Sequence, residues 1–198
     1  MGRLTGRAGV PAAFGDIVWT APSASCVSGA SATVENYYLL VASTSTDDVN
    51  NYMVKVTLTR IDGTLGSVTF GSAVEPATNY VFTGAHAGYA GAGTNNTTTV
   101  TGSDALDSGT ESLGTTAKNL VKTPLNIAAG TAGTWEIAFA DSVTSPTGDC
   151  VFFDDATPFP NELPNDSFHS GTITVTPEPT CLLLLAGGAL GLLRRRRA

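Results

Sequence analysis

Val54-Lys55-Val56-Thr57-Leu58-Thr59 alternates apolar and polar side chains with a period of two, the period at which an extended chain sends successive side chains to opposite faces. One face of this segment therefore enters a core and the other faces outward. Asp62-Gly63 follows at once, and with Val68 and Phe70 beyond it the stretch reads as a β-hairpin reversed at that dipeptide by a type I′ or similar turn. The alternation returns at Trp135, Ile137 and Phe139 against Glu136 and Ala138, and again at Ile173 and Val175. Residues 37–42 form a continuous apolar run of strand length, the pattern of a strand covered on both faces or lying at a sandwich centre. Shorter strands are expected at residues 16–19, 79–82, 97–101, 120–122 and 150–153. About nine or ten strands suffice for one antiparallel two-sheet sandwich, jelly-roll or immunoglobulin-like. No stretch of the body sustains a helical period, and residues 115–121 have room for at most about two turns.

The composition agrees with an all-β class. Only 14% of residues are charged and 22 of 198 are glycine; Thr and Val suit a pleated surface, Gly and Asn suit turns. Two glycine-rich segments, residues 84–96 and 102–114, read as long surface loops. No repeat period and no Pro- or Ser-rich linker divides the body, so a single domain over residues 16–176 is expected. The net charge of −7 hides an asymmetry: residues 1–176 hold six Lys and Arg against sixteen Asp and Glu, which is −10, and the remainder adds four Arg and one Glu, which is +3. An acidic body short of basic residues argues against nucleic-acid binding, which needs clustered Lys and Arg to neutralise phosphates.

The residues that carry chemistry are few. His86 and His169 are the only histidines, and neither stands at a spacing that makes a metal site with a cysteine or a second histidine. There is no nucleophile elbow and no phosphate loop, so no catalytic residue is assigned. Asp47-Asp48-Asn50, Asp104-Asp107-Glu111 and Asp154-Asp155 group hard oxygen ligands of the kind that hold calcium. Solvated turn acids give the same pattern, so Asp47, Asp48, Asp154 and Asp155 stand as weak calcium candidates and no cofactor is otherwise implied. Trp19, Tyr37, Tyr38 and Trp135 offer stacking surfaces for sugars, although aromatic residues on alternating strands more often fill a core.

The C-terminus has a different character. Pro177-Glu178-Pro179 precedes an uncharged apolar run over residues 182–193, built on Leu182, Leu183, Leu184, Leu185, Leu190, Leu192 and Leu193, and then Arg194-Arg195-Arg196-Arg197. Twelve helical residues reach about 18 Å, short of the roughly 30 Å hydrocarbon core of a bilayer. The arginines would hold the terminus on the cytoplasmic side. This order of parts resembles the PEP-CTERM sorting signal of exported bacterial proteins. The resemblance covers residues 177–198 and implies a membrane-bound processing enzyme, an exosortase, as partner. It further implies insertion of the short helix in the bacterial inner membrane during sorting, followed by a place at the cell surface or in the extracellular matrix, in company with surface polysaccharide or another surface protein. Cys181 departs from the usual small or aliphatic residue at its position. For an exported body, Cys26 and Cys150 are the pair available for a disulfide; two free buried thiols are the alternative. At the other end, Arg3 and Arg7 and the small residues 10–15 lack an apolar stretch between them, and residues 1–15 read as a poorly structured remnant of an export signal.

A second resemblance lies in the body. Residues 119–125 followed by Ala128-Ala129-Gly130-Thr131-Ala132-Gly133-Thr134-Trp135-Glu136-Ile137 are similar to the strand, Ala-Gly-rich turn and strand found late in cohesin-like sandwiches, and Asp48-Val49-Asn50-Asn51-Tyr52 to an earlier part of them. The expected protein is an exported, non-catalytic surface or matrix component. Its alternatives are a secreted carbohydrate-active enzyme, which needs a cleft with two carboxylates, and a cohesin-like protein-binding module, which needs a flat, uninterrupted sheet face.

Overall fold

The computed structural model describes residues 16–45, 47–92, 97–140, 150–153 and 166–178. In chain order its strands are β1 (Ile17–Thr20), β2 (Ala24–Ser28), β3 (Ala32–Val34), β4 (Tyr38–Ser43), β5 (Asp48–Val49), β6 (Asn51–Leu65), β7 (Val68–Phe70), β8 (Ala90–Ala92), β9 (Thr99–Ala105), β10 (Glu111–Ser112), β11 (Lys118–Lys122), β12 (Leu125–Ile127), β13 (Ala132–Phe139), β14 (Val151–Phe153), β15 (Asp166–His169) and β16 (Gly171–Pro177). The described part is all-β.

The larger sheet runs β2-β16-β13-β6-β9-β8, with β14 also pairing β6. Facing it are β11-β4-β1-β15 and β3-β12-β7, while β5 and β10 pair with each other. Most pairings are antiparallel; β1 with β15 and β2 with β16 are parallel. The chain changes sheet between β1 and β2 and again between β15 and β16, and Ala21 at the first corner donates its N–H to the His169 carbonyl at the second, at 2.9 Å. The alternating positions then fill one core. Val54, Val56 and Leu58 of β6, Val100 of β9, Trp135 and Ile137 of β13, and Ile173 and Val175 of β16 are all buried, as are Ile17, Trp19, Leu39 and Val41 from the facing sheet. Trp19 joins the layers: its ring centroid lies 4.9 Å from Phe152, 5.8 Å from Phe139 and 5.9 Å from Phe168, within the range of favourable aromatic pairing.

The expected hairpin at Asp62-Gly63 does not form. β6 continues straight through the dipeptide to Leu65, and β7 pairs with β12 in the other sheet. Gly63 has φ 88° and Gly133 on the neighbouring strand has φ 139°, and the β6–β13 register shifts at this point. The positive φ that suggests a turn is absorbed as a bulge. A side chain at Gly63 would stand 2.5 Å from the Ala132 carbonyl and the Gly133 Cα, so the two backbones approach too closely for anything larger.

One other expectation resolves and two change. Residues 37–42 take the second of their two readings, an interior strand of its sheet covered on one face only: Tyr37, Leu39 and Val41 are buried, while Tyr38, Leu40 and Ala42 are half-exposed. Residues 79–82 make no strand, only a bridge from Tyr80 to Asn119. The glycine-rich segments are not wholly loop, because β8, most of β9 and β10 lie within them. The reason is Tyr89. A Cβ at Gly91 would meet its ring at 2.2 Å and one at Gly102 its hydroxyl at 2.1 Å, so the two glycines make room in paired strands for a ring laid across them.

Candidate functional site

The outward side chains of β6 between Asn51 and Thr59 are Asn51, Met53, Lys55, Thr57 and Thr59, all half-exposed or exposed. Register sets Met53 opposite Ser103, Lys55 opposite Thr101 and Thr57 opposite Thr99 on β9. On the other side Thr59 is opposite Glu136 and Thr57 opposite Ala138 of β13. With strands about 4.8 Å apart and about 3.4 Å per residue, these rows form a continuous sheet surface of mostly small polar side chains in which Lys55 and Glu136 are the charges, with a shallow depression at its Asn51, Met53 and Ser103 end. It follows from the same period of two that builds the core: every buried Val or Leu of β6 leaves its neighbour facing out.

Behind the β8–β9 end of this sheet lies a buried polar network. Tyr52 and Tyr80 hydroxyls are 2.9 Å apart, and Tyr80 donates to Asp104 Oδ2 at 2.6 Å. Asp104 Oδ1 accepts the N–H of Ala105 at 2.8 Å, and Tyr52 donates to the Leu120 carbonyl at 3.2 Å. His86 Nδ1 stands 2.8 Å from Asp104 Oδ2 and His86 Nε2 3.8 Å from Glu75 Oε1. Burial pushes the Tyr80 phenol far up, with Tyr52 and the Asp104 contact adding to it, and pushes Tyr52 up likewise. Both hydroxyls are therefore held as protonated donors at neutral pH. His86 reaches this place because its segment pairs with the end of β9, Ala87 N–H to the Ala105 carbonyl and Asp107 N–H to the Ala85 carbonyl. The expected grouping of Asp104, Asp107 and Glu111 does not survive folding. Asp104 turns into the core and Asp107 is exposed, while Glu111 accepts from Thr83 Oγ1, Thr83 N–H and Gly84 N–H and lies 3.7 Å from Lys118.

The remaining site residues fall in several places. Asp47 is buried and accepts from the hydroxyls of Ser43 and Ser45; Asp48, next to it, is exposed. Asp154 and Asp155 lie outside the described residues. Cys26 is half-buried and Cys150 buried, and their places in the sheet keep them too far apart for the expected disulfide. Cys26 is opposite Val175 and Val175 opposite Gly133, whereas the Cys150 thiol lies by the Lys55 and Ala140 carbonyls. From Gly133 to Ala140 along one strand is roughly 23 Å at about 3.3 Å per residue, beyond any disulfide. Trp19, Tyr37 and Trp135 are buried and present no ring to a sugar. Pro177 closes the parallel ladder of β16 with β2, opposite Ser28, and the Glu178 carboxylate sits where a side chain on Gly29 would go. Pro179, the apolar run and Arg194 to Arg197 lie outside the described residues, and among the described residues no helix is long and apolar enough to cross a membrane. The described surface includes two open depressions. One is lined by residues of β3, β7 and β12 without a carboxylate, and the other, between residues 51–53, 87–90 and 103–105, has Asp104 as its only carboxylate.

No family model matches the chain, and no curated protein matches it. Solved structures do. The seventh ScaB type I cohesin from Pseudobacteroides cellulosolvens superposes with a TM-score of 0.54 at 9% identity, over 82% of this chain and 93% of that one. A cohesin from Clostridium acetobutylicum, solved in solution, gives 0.53 at 12% identity over 82% and 92%. The third cohesin of ScaC from Acetivibrio cellulolyticus, in complex with the ScaB dockerin, gives 0.52 at 11% over 81% and 99%. The chain therefore has the cohesin β-sandwich fold; at such identities the likeness is one of fold.

Proposed function

We propose that this sandwich is a non-catalytic module that binds another protein through the outward face of β13, β6, β9 and β8, in an exported protein that its C-terminal segment sorts to the cell surface. The observation that carries the reading is that continuous, sparsely charged sheet face on a cohesin fold. Its side chains are mostly hydroxyls and short aliphatics, which lose little rotamer freedom when covered, and few charges on it would have to be desolvated. A hydrolase would need two carboxylates facing one cleft, and neither of these two depressions is lined by two. The cohesins solved with dockerin support a protein as the occupant. The sorting step rests on the resemblance of residues 177–198 and is part of the proposal.

The face is tested by charge insertion in the full chain. Thr57→Arg and Thr101→Arg, on adjacent strands, should weaken binding to a partner from the host's surface fraction by tenfold or more, measured by biolayer interferometry, with the far-ultraviolet circular dichroism unchanged. Thr20→Arg, on the outer side of the smaller sheet, should bind as wild type. Equal loss in all three, or loss only in Thr20→Arg, would place the interface elsewhere.

A further inference from the structure

We propose that Glu75, His86 and Asp104 bind one divalent transition-metal ion of the zinc class, through one imidazole nitrogen and one oxygen of each carboxylate. The three residues come from separate parts of the chain, and one donor atom from each lies within 4.8 Å of the other two.

The His86–Asp104 contact carries the argument. Nδ1 and Oδ2 are 2.8 Å apart, yet Nδ1, which has no accessible surface, makes no aligned hydrogen bond. A donor and acceptor that satisfy each other point along the line between them. Two ligands of one cation behave differently: they stand close together but point at a common third position. An imidazole nitrogen about 2.0–2.1 Å from a zinc ion, with a carboxylate oxygen at about the same distance, leaves the oxygen off the ring nitrogen's axis, which agrees with a close contact that is not a hydrogen bond. Without an ion, a buried ring nitrogen lacks a partner, which native interiors avoid.

The surroundings suit such an ion. Tyr80 donates to the same Asp104 oxygen and the Ala105 N–H to the other, so the carboxylate is oriented from behind in the way outer hydrogen bonds hold metal ligands. The imidazole is packed 5.4 Å from the Tyr80 ring and 6.2 Å from that of Phe82. Glu75 is 41% exposed where Asp104 is fully buried, so the fourth position opens towards water. A mixed nitrogen and oxygen set with an imidazole favours zinc and its neighbours over calcium or magnesium, which take oxygen ligands. Two carboxylates also match the ion's two charges. Bound there, the ion would clamp the segment holding Glu75 and His86 to the end of β9, beside the proposed binding face.

The test uses the full, tag-free chain treated with a chelator and then titrated with zinc chloride. Isothermal titration calorimetry should give one ion per chain with Kd at or below about 10 µM, and Tm should rise with zinc and stay unchanged with calcium. Glu75→Gln, an exposed position that leaves the core intact, should weaken binding at least tenfold, and His86→Gln should abolish the Tm response; Asp107→Asn, an exposed acid nearby, should do neither. No zinc-dependent heat or Tm shift, or binding equally strong in Glu75→Gln and His86→Gln, overturns the proposal and leaves His86 as a structural partner of Asp104.

Discussion

Trp135 is buried to 3% and covered on its solvent side by the Arg60 guanidinium, 5.1 Å from the ring centroid, a cation–π contact. Replacing it with Ala removes a large aromatic side chain from between the sheets and should cost about 3–5 kcal/mol. A denaturant titration checks this, and a loss below about 1 kcal/mol would mean that the cavity collapses or that the site is not core. Trp135 was legible because the alternation of residues 135–139 declares its face. His86 was not. Its partners stand eleven residues before it and eighteen after, at no spacing any local element imposes, and they meet only because the His86 segment pairs with the end of β9.

Elements show the same division. Glu111, on the two-residue strand β10, holds the turn at Thr83 and Gly84 with three hydrogen bonds and faces Lys118. Partial burial by itself would raise its pKa, but these donors and the lysine charge outweigh it and hold the carboxyl below its ordinary value. A carboxyl lowered by folding stabilises the native state above the ordinary carboxylate pKa, and the contribution disappears as the pH falls through that value towards the lowered one. Glu111→Gln should therefore lower Tm at neutral pH, and the gap to wild type should close as the pH falls below the ordinary carboxylate range; a gap independent of pH would assign the effect to packing. The β6 strand carries the opposite lesson. Asp62-Gly63 has the composition of a turn, yet β13 alongside supplies partners on both sides of it, and a strand continued through a bulge keeps hydrogen bonds that a reversal would lose.

On the scale of the whole molecule, β16 ends at Pro177, the first residue of the segment for which we propose a sorting role. On the proposed sorting reading, twelve apolar residues would reach at most about 18 Å as a helix, too short for a permanent anchor, which suits a pause at the membrane followed by cleavage. The protein recovered from the cell surface should then lack Arg194 to Arg197. Mass spectrometry of that fraction decides it, and an intact peptide ending in Ala198 would refute sorting by this segment. Replacing the four arginines with Ser should reduce retention, while changing Glu178 should leave retention intact and block cleavage.

Sequence alone determined the class: a period of two along β6, β13 and β16 requires extended strands with one buried face, and with the apolar run of β4 and no helical period it points to a sandwich. It also marked most of the inward residues, because facing alternates with number. Only the tertiary structure decided which strand lies beside which, why Gly91 and Gly102 stand inside paired strands, that Cys26 and Cys150 are far apart, and that Glu75, His86 and Asp104 meet. Alternation is a local property of the backbone, set by neighbours in sequence. Strand order, close approach and convergence of side chains depend on which distant segments pair, and no residue carries that information by itself.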